Sequence, residues 1–200
     1  MASEPLQPLN SLGPMPKGPD TDPDDPAKKD YLQGRKFFQD GEYAQAAMAF
    51  HNALRAFEEK GDQVGVANAA DRLGDACLAR GEYAMALANY QQAHAICEKE
   101  DDSFSLLSLH KKMAAAYRKL GDHERSLELL FDILEHYRLT NNPKGAVEVL
   151  ILIADAYEEK GDKAGAADAY RSVASIHKGF KHSRQAEEFE RRAASLGQEG

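Results

Sequence analysis

Between Gln63 and Ala79 the apolar residues Val66, Ala70, Leu73 and Cys77 recur at helical intervals and share one face. The spacing predicts an amphipathic helix over 63–79. Gly81 ends it, because glycine enters the left-handed conformation that follows a helix without steric cost. A second pattern runs over about 83–98, with Ala86, Tyr90, Ala93 and Ile96 on one face. So short a break between two amphipathic helices predicts that they pack antiparallel. Glu82, just before the second helix, places a negative charge at the positive end of its dipole.

The same pattern occurs four times. Gly41, Gly81, Gly121 and Gly161 lie 40 residues apart, without insertion. Five residues after each glycine stand Ala46, Ala86, Ser126 and Ala166, small enough to let two helices approach closely. Nine after it stand the bulky Phe50, Tyr90, Leu130 and Tyr170. Four before it stand Phe37, Cys77, Tyr117 and Tyr157; seven before it, the small Gly34, Gly74, Ala114 and Ala154. Each pair leaves an apolar face that only the next pair can cover, so the units bury a core by stacking. After the fourth unit, Ala186, Phe189, Ala193 and Leu196 form one apolar stripe among charges and Gly197 stops it, the pattern of a terminal capping helix. The fold expected is all-α, an α-α superhelix of four helix pairs (27–62, 63–102, 103–142, 143–180) plus a C-terminal capping helix over 181–196.

The stretch LGDACLARGEYAMALANYQQA, from Leu73 to Ala93, resembles the tetratricopeptide repeat (TPR). The resemblance covers residues 27–200. Two departures stand out: the period is 40 rather than the usual ~34, and the helix-terminating proline is missing from every unit. Longer-period relatives include repeats like those of kinesin light chain, the spindle-orientation adaptors and bacterial peptide-sensing regulators.

Composition narrows the function. A formal charge of −8 argues against a nucleic-acid partner, which would call for a basic stripe. No apolar run is long enough to span a membrane, and the N-terminus has no apolar core of a signal peptide. Residues 1–26 hold seven of the eight prolines and read as a disordered, proline-rich tail or linker. The two cysteines, Cys77 and Cys97, lack metal or redox spacing and read as small core residues of a cytoplasmic chain. No phosphate loop, nucleophile elbow or zinc motif is present, and His177 and His182 stand five apart across a break, poor ligand spacing. The expectation is a protein that is not an enzyme, with no catalytic residues, no metal and no cofactor.

The resemblance implies that the first helices line an inner groove, chiefly at positions 13, 10, 6 and 3 before each glycine. It therefore implies a peptide-binding set of Tyr31, Arg35, Phe38, Asn68, Asp71, Asp75, Ser108, Lys111, Arg118 and Asp155, with Arg72 and Lys112 flanking the same face. Tyr31 and Phe38 are expected as exposed aromatic anchors at one end. Related domains that clamp the acidic C-termini of heat-shock chaperones use two asparagines that are absent here, which argues against that partner. The function expected is an adaptor or scaffold that binds a protein or extended peptide in the groove. The alternative is a regulatory or chaperone-like subunit acting through homo-oligomerisation.

Overall fold

A computed structural model describes residues 25–197. Among them are nine helices and no strands: α1 (Pro26–Gln39), α2 (Tyr43–Lys60), α3 (Gln63–Ala79), α4 (Tyr83–Lys99), α5 (Ser103–Lys119), α6 (His123–Leu139), α7 (Pro143–Lys160), α8 (Lys163–Gly179) and α9 (Ser183–Gly197). The chain is all-α, as its hydrophobic periodicity predicts. The proline-rich tail expected over 1–26 lies outside the described residues except for Asp25 and Pro26, and these two begin α1. The Asp25 carboxylate accepts from the Ala27 N–H, and Pro26 occupies the first turn, where its missing N–H costs nothing.

The helices are joined by one kind of turn. A left-handed residue occurs at Gly41, Gly61, Gly81, Asp101, Gly121, Asn141, Gly161 and Lys181, every twentieth position, with φ between 50° and 83°. The N–H of the following residue donates to the carbonyl five before it, as from Glu82 to Cys77 at 2.9 Å and from Asn142 to Tyr137 at 2.8 Å. The 40-residue repeat is thus two 20-residue helix-and-turn units at the level of the backbone. Only the turn inside each pair keeps glycine throughout. The turns between pairs carry Asp101, Asn141 and Lys181 in the same conformation, so glycine spacing marks only every second turn beyond Gly61.

Caps follow the same register. Asp62, Asp122, Asn142 and Asp162 each accept an N–H from the residue three on. Glu42 and Glu82 occupy equivalent places but close no such bond, because the extra methylene carries the carboxylate past the first N–H groups. The negative charge expected there is present; the capping hydrogen bond belongs to Asp and Asn.

The chain divides into two compact units, one ending at Ala116 and the other beginning at Tyr117, within α5. In the first unit α1 packs on α2, α2 on α3 and α3 on α4, around Phe50, Phe57, Tyr31, Tyr90, Cys77 and Leu109. Close approach is made at Gly34 and Gly74. A Cβ at Gly34 would stand 2.7 Å from the Phe50 ring, and one at Gly74 would stand 2.4 Å from Tyr90. These are the small and bulky positions paired by the sequence pattern. In the second unit α6 packs on α7, α7 on α8 and α8 on α9, around Ile133, Val149, Ile153, Tyr170 and Val173. Against the end of this unit α9 lays Phe189, whose ring stacks 6.0 Å from Tyr170, while the Arg192 guanidinium sits 4.5 Å over the same Tyr170 ring.

Candidate functional site

In the first unit, four of the residues expected to line the groove or flank it form a buried ionic cluster. On α3 the carboxylates of Asp71 and Asp75 are one helical turn apart, with Arg72 beside them; Lys112 reaches them from α5. Lys112 Nζ donates to Asp71 Oδ1 at 2.5 Å and to Asp75 Oδ2 at 3.1 Å. An Arg72 Nη donates to Asp75 Oδ2 at 3.2 Å, and the Tyr90 hydroxyl donates to Asp75 Oδ1 at 3.0 Å. Arg72 also hydrogen-bonds the Tyr31 hydroxyl. All four charged residues are 5% exposed or less. Two anions and two cations therefore neutralise one another out of water, the condition under which buried charge is tolerated.

Burial, with Asp71 close by, raises the Asp75 carboxyl to about 6 against the pull of Lys112 and Arg72. Burial and then the neighbouring carboxylates push the Tyr90 phenol up as well, and burial does the same at Tyr31. Tyr31 and Tyr90 stay neutral and serve the cluster as hydrogen-bonding groups.

This placement corrects one expectation. Tyr31 is 2% exposed and meets the Phe50 ring edge-on at 5.7 Å; it is a core residue, not an exposed anchor. The reason is Arg72, which gives the phenol a polar partner inside and lets the ring leave water. Asn68 is buried too, its amide donating to the Val64 carbonyl at 3.0 Å. Phe38 remains half-exposed, edge-on to Tyr43 at 5.3 Å. Arg35 is largely buried as well, 9% exposed, and Ser108 and Lys111 are half-buried. In the second unit Arg118 lies 3.9 Å from Asp155 and 3.3 Å from Glu159, the latter without hydrogen-bond alignment. The Tyr170 hydroxyl donates to Glu158 at 2.6 Å and lies 3.4 Å from Asp155.

Sequence reasoning took Asp71, Arg72, Asp75 and Lys112 for groove residues and missed their mutual pairing. The signal was there: Arg72 and Lys112 hold the same place in successive repeats, one position from a carboxylate in the first. Two further features escaped it. The scattered histidines pair through space, His94 Nε2 lying 2.9 Å from His110 Nε2, and His177 Nδ1 lying 3.4 Å from His182 Nδ1. An apolar hollow also opens in the second unit, between the start of α7 and the end of α8.

Other chemistry is sparse. No group of three or more His, Cys, Asp or Glu among the described residues could hold a metal ion. Both cysteines are buried, and burial raises each thiol, Cys97 to about 12, which removes thiolate reactivity. No helix among the described residues is long and apolar enough to cross a membrane.

Solved structures share the fold at low identity. The nearly identical TPR-like repeats of a Podosopora anserina protein assigned as a kinesin light chain superpose with a TM-score of 0.73 at 18% identity, covering 87% of this chain and 89% of that one. BtubC (BKLC) from P. vanneervenii gives 0.60 at 14%, covering 84% and 78%. A Rap protein complexed with Competence and Sporulation Factor gives 0.56 at 15%, covering 86% of this chain and 52% of that one. No curated protein sequence matches the chain. The tetratricopeptide repeat family model matches residues 30–99 and 104–179. With matching turns, paired small and bulky positions and these two matched segments, the chain belongs to the tetratricopeptide repeat family.

Proposed function

We propose that the protein is an interaction module, an adaptor or scaffold that binds a segment of another protein. The observation that carries this reading is tetratricopeptide membership over two matched segments that together span most of the chain, an architecture whose stacked first helices offer a continuous face for an extended chain. A Rap protein of similar fold was solved with Competence and Sporulation Factor bound, which is consistent with it.

In the first unit the ionic cluster fixes that face and is not itself available to a ligand. Binding there falls to the groups left at its margin: Arg35 and Phe38 on α1, Ser108 and Lys111 on α5. Arginine and aromatic side chains bury area with few rotamers to freeze and supply most interface energy. Arg118 and Asp155 play the corresponding part in the second unit.

The test begins with a partner captured by in-cell crosslinking and then purified. Replacing Arg35 and Phe38 together by alanine should weaken its binding at least tenfold, about 1.4 kcal/mol, while Gln91→Ala on the outer face leaves it unchanged. Equal affinity of the double variant and the wild type would overturn the assignment to this face.

A further inference from the structure

Two of the scattered histidines meet between α4 and α5, within the first unit. His94 Nε2 and His110 Nε2 are 2.9 Å apart, with ring centres at 5.0 Å and planes 21° from parallel. Both residues are half-buried. The separation holds one N–H···N hydrogen bond: one ring donates from Nε2, and the other carries its proton on Nδ1 and accepts.

A neutral imidazole nitrogen is also the commonest protein ligand of a metal ion. Metal–nitrogen bonds run ~2.0–2.1 Å, so nitrogens at the observed separation subtend about 90° at a shared ion. That is the cis angle of a square-planar or octahedral centre, the geometry of Cu²⁺ and Ni²⁺. A tetrahedral Zn²⁺ would set the same nitrogens about 3.4 Å apart. Exchanging the hydrogen bond for the ion involves the two side chains alone. The donor ring moves its proton to Nδ1, so the protein's charge is unchanged, and small rotations about Cα–Cβ and Cβ–Cγ turn the facing lone pairs onto a common point. Glu98 stands one helical turn on from His94, on the same side of α4, and supplies negative charge. Lys111, next to His110 in sequence, leaves α5 about 100° round the helix.

We propose that His94 and His110 together bind a divalent transition-metal ion of cis geometry, Cu²⁺ or Ni²⁺, in place of the proton they share. No third His, Cys, Asp or Glu among the described residues completes a cluster there, so water fills the remaining positions at this half-buried place and the affinity is micromolar. The ion ties the second helix of one repeat to the first helix of the next, as Lys112 ties α5 to α3. The site is separate from the first-helix binding face, and the two assignments fail independently.

The experiment titrates the full chain with CuCl₂, NiCl₂ or ZnCl₂ alone by isothermal calorimetry, at about pH 7.5, where imidazoles are mostly neutral. A parallel series carries His177→Gln and His182→Gln, which removes the other histidine pair. Saturable binding of one Cu²⁺ or Ni²⁺ is expected in both series, at least tenfold weaker with His94→Gln and with His110→Gln. Electron paramagnetic resonance of the Cu²⁺ form should show two imidazole nitrogens, and one in each single variant. Melting in EDTA confirms that each variant folds; if one does not, the other variant and the nitrogen count of the wild type decide. Binding that survives His94→Gln and His110→Gln, or that is lost only with His177 and His182, overturns the proposal. So does an absence of saturable binding, which would leave the pair as a hydrogen bond only. Zn²⁺ binding more tightly than Ni²⁺ in the parallel series also overturns it, because the nitrogens would then have spread to a tetrahedral site.

Discussion

Lys112 Nζ lies 2.5 Å from Asp71 Oδ1 across 41 residues of sequence, with the Lys112 side chain wholly out of water. The pair ties α5 to α3, and through Asp75 and Arg72 it also engages Tyr90 of α4 and Tyr31 of α1. Removing one partner leaves the others charged and desolvated. Lys112→Met should therefore destabilise the protein by roughly 3–5 kcal/mol, measured by urea unfolding. The double variant with Asp71→Leu should recover a large part of that loss. A cost below about 1 kcal/mol for Lys112→Met would mean that the cluster is hydrated and open.

Asp75 gives the cluster a pH signature. Its folded-state value lies above the ordinary 3.8, at about 6, chiefly because burial disfavours the carboxylate. A raised folded value means that its contribution to stability is fully present below the unfolded value and is lost as pH rises through the folded one. The stability of the wild type relative to Asp75→Asn should therefore decline between about pH 4 and pH 7. Urea unfolding of both proteins across this range reads the difference. A relative stability that grows with pH would show that Lys112 and Arg72 outweigh desolvation.

Gly161 has φ 83° and open space where a side chain would go. Its cost of substitution is therefore one of backbone alone. Gly161→Ala should lose about 1 kcal/mol, and Gly161→Asn less, since asparagine tolerates the left-handed region, as Asn141 does here at φ 50°. Equal losses for both would point to a packing contact instead.

Ser126 takes the place that alanine holds in the other three repeats. It is 1% exposed, and its hydroxyl has no hydrogen-bond partner among the described residues. Ser126→Ala removes an unsatisfied polar group without changing shape and should stabilise by about 1 kcal/mol, seen as a raised melting temperature. A destabilised variant would reveal a partner for the hydroxyl.

At the end of the second unit α9 covers Tyr170 through a half-buried Phe189. Full burial of a phenylalanine would make its truncation cost ~3–5 kcal/mol; at this exposure Phe189→Ala should cost about 2. Deleting 181–200 should destabilise more and promote association, because it bares the face that includes Ile153 and Tyr170. A monomeric truncate of unchanged stability would remove α9 from its capping role.

The sequence alone determined the helices, their order and their pairing. Those features depend on local physics: the 3.6-residue period of apolar positions, the left-handed glycines, and the fit of Gly34 to Phe50 and Gly74 to Tyr90 at fixed spacing. The turns at Asp101, Asn141 and Lys181 were less legible, because a non-glycine residue announces nothing about φ. The candidate site was legible only as a set of positions. Whether Tyr31 or Asp71 faces water depends on what stands opposite, and that comes from another helix: Arg72 for the phenol, Lys112 for the carboxylate. The hollow beside Phe180 was hidden for the same reason. Its walls come from the start of α7 and the end of α8, more than 30 residues apart, and an apolar residue in a sequence does not say whether its neighbours in space will cover it.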